Sequence, residues 1–158
     1  MAEVLLAIKP VFAAAILSGV KKVELRRRVP LWAPGTIVHM YASTPQRAVT
    51  GSFVVKEVLR AEPWLLWRDY HRDLHLNFDE FSSYLAGLSH GFAIEIESQA
   101  TYPTPVSLEE IRSTLAIQPP QSFRYLSAPK VEQLRTLASV HPIQPEQHGE
   151  VEHNRAAG

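Results

Sequence analysis

The chain has 158 residues, 16 lysines and arginines against 16 aspartates and glutamates, and no cysteine. That length supports one hydrophobic core rather than two, and the cancelled charge excludes the global polyelectrolyte field of proteins that coat nucleic acid, so any nucleic-acid affinity must be local. The missing thiols exclude disulfides, a cysteine nucleophile and a cysteine-ligated zinc.

The N-terminus carries neither a basic leader nor an apolar run of about 18 residues, so the expected compartment is the cytoplasm and no membrane partner is expected. The stretch "EVLLAIKP" predicts a short buried strand, Val4 to Ile8, stopped by Pro10, which also suits the first turn of a helix. "PVFAAAILSG" predicts that helix, with Gly19 as its C-terminal cap.

From Val20 the period changes to two, which predicts a half-buried strand. Parity puts Lys22, Glu24, Arg26 and Arg28 on one face, opposite Val23 and Leu25. Such a face suits a phosphate or carbonyl ligand, with Glu24 taking a donor. It equally suits a solvated strand whose exposed pairs contribute roughly 0 to 1 kcal/mol.

"RVPLWAPG" is a connection punctuated by Pro30, Pro34 and Gly35. Residues 36 to 43 and 48 to 61 predict paired strands joined by "TPQR", with Gly51 marking a bulge or bend. A short helix starts near Pro63, a second is capped by Asn77 and ended by Gly87, and "FAIEIES" (92 to 98) is a further strand. "SLEEIRSTL" carries a capping box of Ser107 and Glu110. The last helix, "APKVEQLRTLAS", sets Val131, Leu134 and Leu137 on one side. Residues 1 to 139 read as one domain, and 140 to 158, without periodicity, as a disordered tail. Helices do not follow every strand, so the pattern is α+β: a small mixed or antiparallel barrel with helices packed at its ends.

Three further stretches carry candidate chemistry. In "YASTPQR", Ser43, Thr44 and Arg47 offer hydroxyls and a guanidinium to a phosphate or base edge, or form an ordinary polar turn. "PPQSFRYL" mixes Gln121, Ser122, Arg124 and Tyr125 with Phe123, which suits an unstacked base, or an aromatic anchor for a proline-rich loop. "DYHRDLH" places His71 and His75 on one predicted helix face at i, i+4, with Asp69 and Asp73 beside them. No third ligand stands at recognisable spacing, so exposed histidines and no metal are expected. The tail histidines His141, His148 and His153 are weaker still. Trp64 and Trp67, three apart, predict the core-facing stripe of a short helix.

"LLAIKPVFAAAILSGVKKVELRRRVP" resembles the N-terminal signature of the ASCH domain in the PUA-like superfamily, and "YASTPQRAVTGSFVVKEV", "HGFAIEI" and "PPQSFRYL" are similar to later blocks of stand-alone members, over about residues 4 to 126. The resemblance implies a PUA-like barrel with a cleft beside the first helix, lined by Lys21, Glu24 and Arg26, with Lys9 in the "IKP" start. Parity favours Lys22 as the cleft lysine and the resemblance Lys21; the two agree if the turn after Gly19 extends past Lys21.

The function implied is binding of RNA or a modified nucleoside, without a cofactor. Its alternative is a metal-independent hydrolase in the same cleft, acting on N4-acetylcytidine or cutting RNA, with Lys21 and Glu24 catalytic. The acetylcytidine branch uses a lysine, a threonine and a glutamate. Here Lys21 matches the lysine, Glu24 stands at the threonine, and Leu74 or His75 falls near the glutamate. A glutamate in place of a threonine acts as a base toward water rather than as the nucleophile.

Overall fold

The sequence "VLLAI" leaves no polar face, and a strand of that kind must be covered on both sides. In a computed structural model describing residues 2–141, it forms β1 (Glu3–Ile8), in which Val4, Leu5 and Leu6 are wholly buried. Val4, Leu6 and Ile8 face one apolar cluster and Leu5 another. Helix α1 (Pro10–Leu17) follows, entered through Pro10 and closed by Gly19 at a φ of +83°. The remaining elements are β2 (Val23–Arg26), β3 (Ile37–Ala42), β4 (Ala48–Ala61), α2 (Pro63–Tyr70), α3 (Phe78–Tyr84), β5 (Gly91–Ser107), α4 (Leu108–Ser113), β6 (Phe123–Leu126) and α5 (Ala128–Leu137). The expected tail lies almost wholly outside the described residues.

The six strands form one sheet in the order β2-β5-β4-β3-β1-β6, antiparallel except for the β1–β3 pair. The α+β class holds, and because the sheet is not closed between β2 and β6, barrel describes it only loosely. Its edge strands β2 and β6 are not neighbours in the ladder; side chains bridge the seam instead. Arg26, on β2, donates from Nη1 to Ala7 O (3.1 Å) on β1 and from Nη2 to Ser122 Oγ (3.1 Å) next to β6. Trp32, in the β2–β3 connection, packs edge-on against Phe123 (5.3 Å between centroids) and donates from Nε1 to Tyr125 Oη (3.1 Å).

β5 runs 17 residues, well past the predicted 92 to 98, because its Pro103 and Pro105 do not stop it from pairing with the start of β4 at Val49↔Val106 and Ala48↔Ser107. Three register shifts along the β4–β5 ladder bend the two long strands. Gly51 lies at the first of them, where a Cβ would sit 2.5 Å from Ala100 O and 2.7 Å from Leu17 Cδ2. Gly51→Ala forces that backbone apart, and is expected to cost roughly 1–3 kcal/mol, read as a lowered urea midpoint with an unchanged slope.

The inner face of the curl holds the main core, with Phe53, Val55 and Ile94 against Ala13 and Ile16 of α1. A second cluster seats α4 and α5 through Ile111, Val131 and Leu134, and a third seats α2 and α3 through Leu66 and Phe81 beneath Val23 and Leu25. The capping boxes at Asn77 and Ser107 are both formed. Trp67 packs on Phe78 and Phe81, as the helical stripe predicts. Trp64 does not: it is exposed and donates to Glu62. No described helix is long and apolar enough to cross a membrane.

Candidate nucleic-acid cleft

Between the start of α1, β2 and the end of α3 lies a cleft of about 530 Å³. Its position follows from the turn after α1. Lys21 N bonds back to Ala15 O, while Lys22 N and Val23 N both donate to Asp73 O, so regular pairing begins only at Val23. The extended turn puts the Lys21 side chain inward and leaves Lys22 exposed. The strand parity that grouped Lys22 with Glu24 is thereby corrected.

Lys21 is 1% exposed and Glu24 3%. Lys21 Nζ donates to Leu74 O at 2.5 Å, stands 3.5 Å from Glu24 Oε1, and lies 4.9 Å from the centre of the Phe12 ring. Glu24 Oε2 accepts from Arg26 Nη1 at 3.3 Å. The carboxylate is thus held between an ammonium and a guanidinium. Burial holds the Lys21 ammonium below the ordinary lysine range, and the Glu24 carboxylate opposes that shift. The segment that the resemblance matched to a catalytic glutamate supplies a backbone carbonyl, Leu74 O, instead.

At the rim stand Lys9, at the entry to α1, and Arg27, whose Nε donates to Tyr84 O (2.8 Å) and whose guanidinium lies 4.4 Å from the Tyr84 ring centre. Burial pushes the Tyr84 hydroxyl up from its ordinary range; Glu24 adds to this, while Arg26 and Arg27 oppose it. Phe12 and Tyr84 give the cleft two aromatic walls. Four cations (Lys9, Lys21, Arg26, Arg27) face it against two carboxylates, Glu24 and Glu80, so a neutral chain acquires a local positive site.

Of the residues singled out in the sequence, Lys9, Lys21, Glu24, Arg26, Ser43 and Gln121 line this cleft. Ser122 adjoins it through its bond to Arg26. Lys22, Arg28, Thr44, Arg47, Arg124 and Tyr125 do not line it. Tyr125 holds Trp32 across the seam, and Arg124 and Arg47 lie toward α4, Arg124 donating from Nη1 to Gln118 O (3.3 Å). α2 ends at Tyr70, so His71 and His75 do not share a helix face, and both are exposed. Among the described residues, no group of three His, Asp or Glu side chains is placed to hold a metal ion. Arg27 and Tyr84 were missed: parity sends Arg27 to the other face, and no local pattern ties Tyr84 to a residue 57 positions earlier.

A mixed six-stranded sheet with five helices is the arrangement of ASCH and PUA-like folds. The ASCH domain family matches residues 6–103, and the chain belongs to that family. It is 30% identical over 138 residues to a Zymomonas mobilis protein named an ASCH domain-containing ribonuclease, covering 87% of this chain and 93% of that one. The crystal structure of ASCH from Zymomonas mobilis superposes with a TM-score of 0.81 at 29% identity, over 85% of this chain and 94% of that one. Human THYN1, solved in complex with 5-methylcytosine-containing DNA, shares the fold at a TM-score of 0.53 and 12% identity, over 90% of this chain and 100% of that one.

Proposed function

We propose that this protein binds RNA, seating one nucleotide in the cleft with its phosphate toward Arg26, Arg27 and Lys9 and its base against Phe12 or Tyr84. The observation that carries this reading is the gathering of three further cations and two rings around a buried lysine–glutamate pair in a chain of zero net charge. Phosphate contact supplies sequence-independent affinity, and ring stacking suits an unpaired base.

The burial of Lys21 and Glu24 favours a second reading, in which the bound strand is cut, and the Zymomonas relative's name agrees with it. Glu24 accepts the proton of the ribose 2′-hydroxyl as its oxygen attacks phosphorus. Lys21, whose proton burial makes easier to give up than an ordinary lysine's, gives a proton to the departing 5′-oxygen. The products are a 2′,3′-cyclic phosphate and a 5′-hydroxyl, and Arg26 faces the charge that develops on the phosphoryl oxygens.

Fluorescence anisotropy with a labelled single-stranded hexamer, alongside gel analysis of the same strand in EDTA, tests both readings, and acetylated cytidine in parallel tests the amide-hydrolysing alternative. Wild type is expected to bind the hexamer in a salt-dependent way, and Tyr84→Ala to bind it about tenfold more weakly, the loss of one stacked base. Absence of binding at low salt would overturn the first reading. Intact RNA from a binding-competent protein would overturn the second.

A further inference from the structure

We infer that a second phosphate site lies beside the cleft, on a shelf formed by Arg47 and Arg112, so that the ligand is an RNA strand of several nucleotides rather than a free nucleoside. This rests on the reading of the cleft as an RNA site and specifies the ligand's size.

The shelf is a concavity of about 570 Å³ against α4, lined by Arg47, Arg112, Ser107, Ser113, Leu108 and Glu109. Two segments carry the surface from the cleft to this shelf. Ser43 lines the cleft, the turn after it closes through Arg47 N bonding to Ser43 O (3.3 Å), and Arg47 O accepts from Leu108 N (3.0 Å) at the start of α4. On the other side, Gln121 lines the cleft, and three residues earlier Gln118 accepts from Arg112 Nε through Oε1 (3.0 Å) and from Arg124 Nη1 through its carbonyl (3.3 Å). Shelf and cleft are therefore one tight turn apart.

Both shelf guanidiniums are held by one edge and open at the other. Arg47 Nε donates to Thr44 Oγ1 (3.4 Å) and Arg112 Nε to Gln118, while the terminal nitrogens of both have no hydrogen-bond partner among the described residues. Neither arginine, nor Arg124, forms an ion pair among the described residues. A guanidinium with free terminal nitrogens and no ion-pair partner is able to take a phosphate by two bonds. Arg47 also holds a φ of +50°, a backbone region that a long side chain rarely occupies and that accompanies functional constraint. One charge opposes: Glu109 lines the same concavity. The neighbouring Glu110 is occupied in the capping box with Ser107.

The test compares a nucleoside monophosphate with a single-stranded hexamer, by calorimetry, on wild type, Arg47→Asn/Arg112→Ala, Glu109→Gln and Arg60→Ala. Asparagine is chosen at position 47 because it tolerates positive φ. Arg60 lies at the far end of β4 and controls for loss of charge alone. Wild type is expected to bind the hexamer at least about tenfold tighter than the monophosphate. The double variant should lose about that factor for the hexamer only, with a shallower salt dependence by roughly 0.7 per phosphate contact removed. Glu109→Gln should tighten the hexamer, and Arg60→Ala should leave it unchanged.

Equal affinity for the two ligands, or a double variant that binds the hexamer like wild type while Tyr84→Ala still weakens it, would overturn the shelf and leave the cleft standing. No binding of either ligand by wild type would remove the cleft reading and the shelf with it. Arg112→Ala alone, on an exposed helix face, keeps the test decisive if the double variant unfolds.

Discussion

Glu24→Gln is expected to leave RNA affinity close to wild type and to lower strand cleavage by about 10²–10⁴-fold, the usual contribution of a positioned proton acceptor. Glutamine keeps the shape and an acceptor for Arg26 Nη1, which now donates to Oε2 at 3.3 Å, but it cannot take a proton. The substitution also removes the one group that opposes the effect of burial on Lys21. The lysine then loses its proton at still lower pH, so any residual cleavage falls away at a more acidic alkaline limb than in wild type. Single-turnover rates across pH, together with anisotropy on the same samples, check both parts. Unchanged cleavage would remove Glu24 from the chemistry, and a protein with no turnover in either form would be a binder alone.

Lys21→Met alone is expected to lower the unfolding free energy by about 3–5 kcal/mol, because it strands a buried carboxylate with only Arg26 for company. Lys21→Met combined with Glu24→Gln is expected to recover most of that loss, since a neutral pair of similar volume needs no compensation for desolvation. The pH dependence separates the forms further. With the folded lysine titrating below its unfolded value of 10.5, the unfolded chain binds more protons over that interval, so wild-type stability rises with pH there. The double variant lacks that rise. Urea unfolding of the three proteins at several pH values reads the sequence of effects. A double variant as unstable as Lys21→Met alone would mean that the pair stabilises the fold in its own right.

Strand and helix signals were legible where local physics sufficed. The unbroken apolar run at Val4 to Ile8, the Gly19 and Asn77 caps and the Ser107 capping box all act within a few residues, and each appears where its chemistry puts it. β5 was underread because prolines 103 and 105 look like a stop when the pairing partner is unknown. β6 has no strand signal of its own, because four residues without clean alternation become a strand only beside β1. In the cleft, alternation alone selected Lys22. Only the turn bond from Lys21 N to Ala15 O, which is a three-dimensional fact, reverses that choice, though the family resemblance already pointed to Lys21. Tyr84 and Arg27 meet across 57 positions and leave no trace in either neighbourhood.

Arg26 joins the cleft to the edge of the sheet. The same guanidinium that pairs with Glu24 also reaches Ser122, 96 residues away, across the open edge of the sheet. One side chain therefore ties positions 26 and 122 together. Ser122→Ala is expected to release one of the bonds that aim the arginine at Glu24, an effect on the cleft from a residue that does not line its wall.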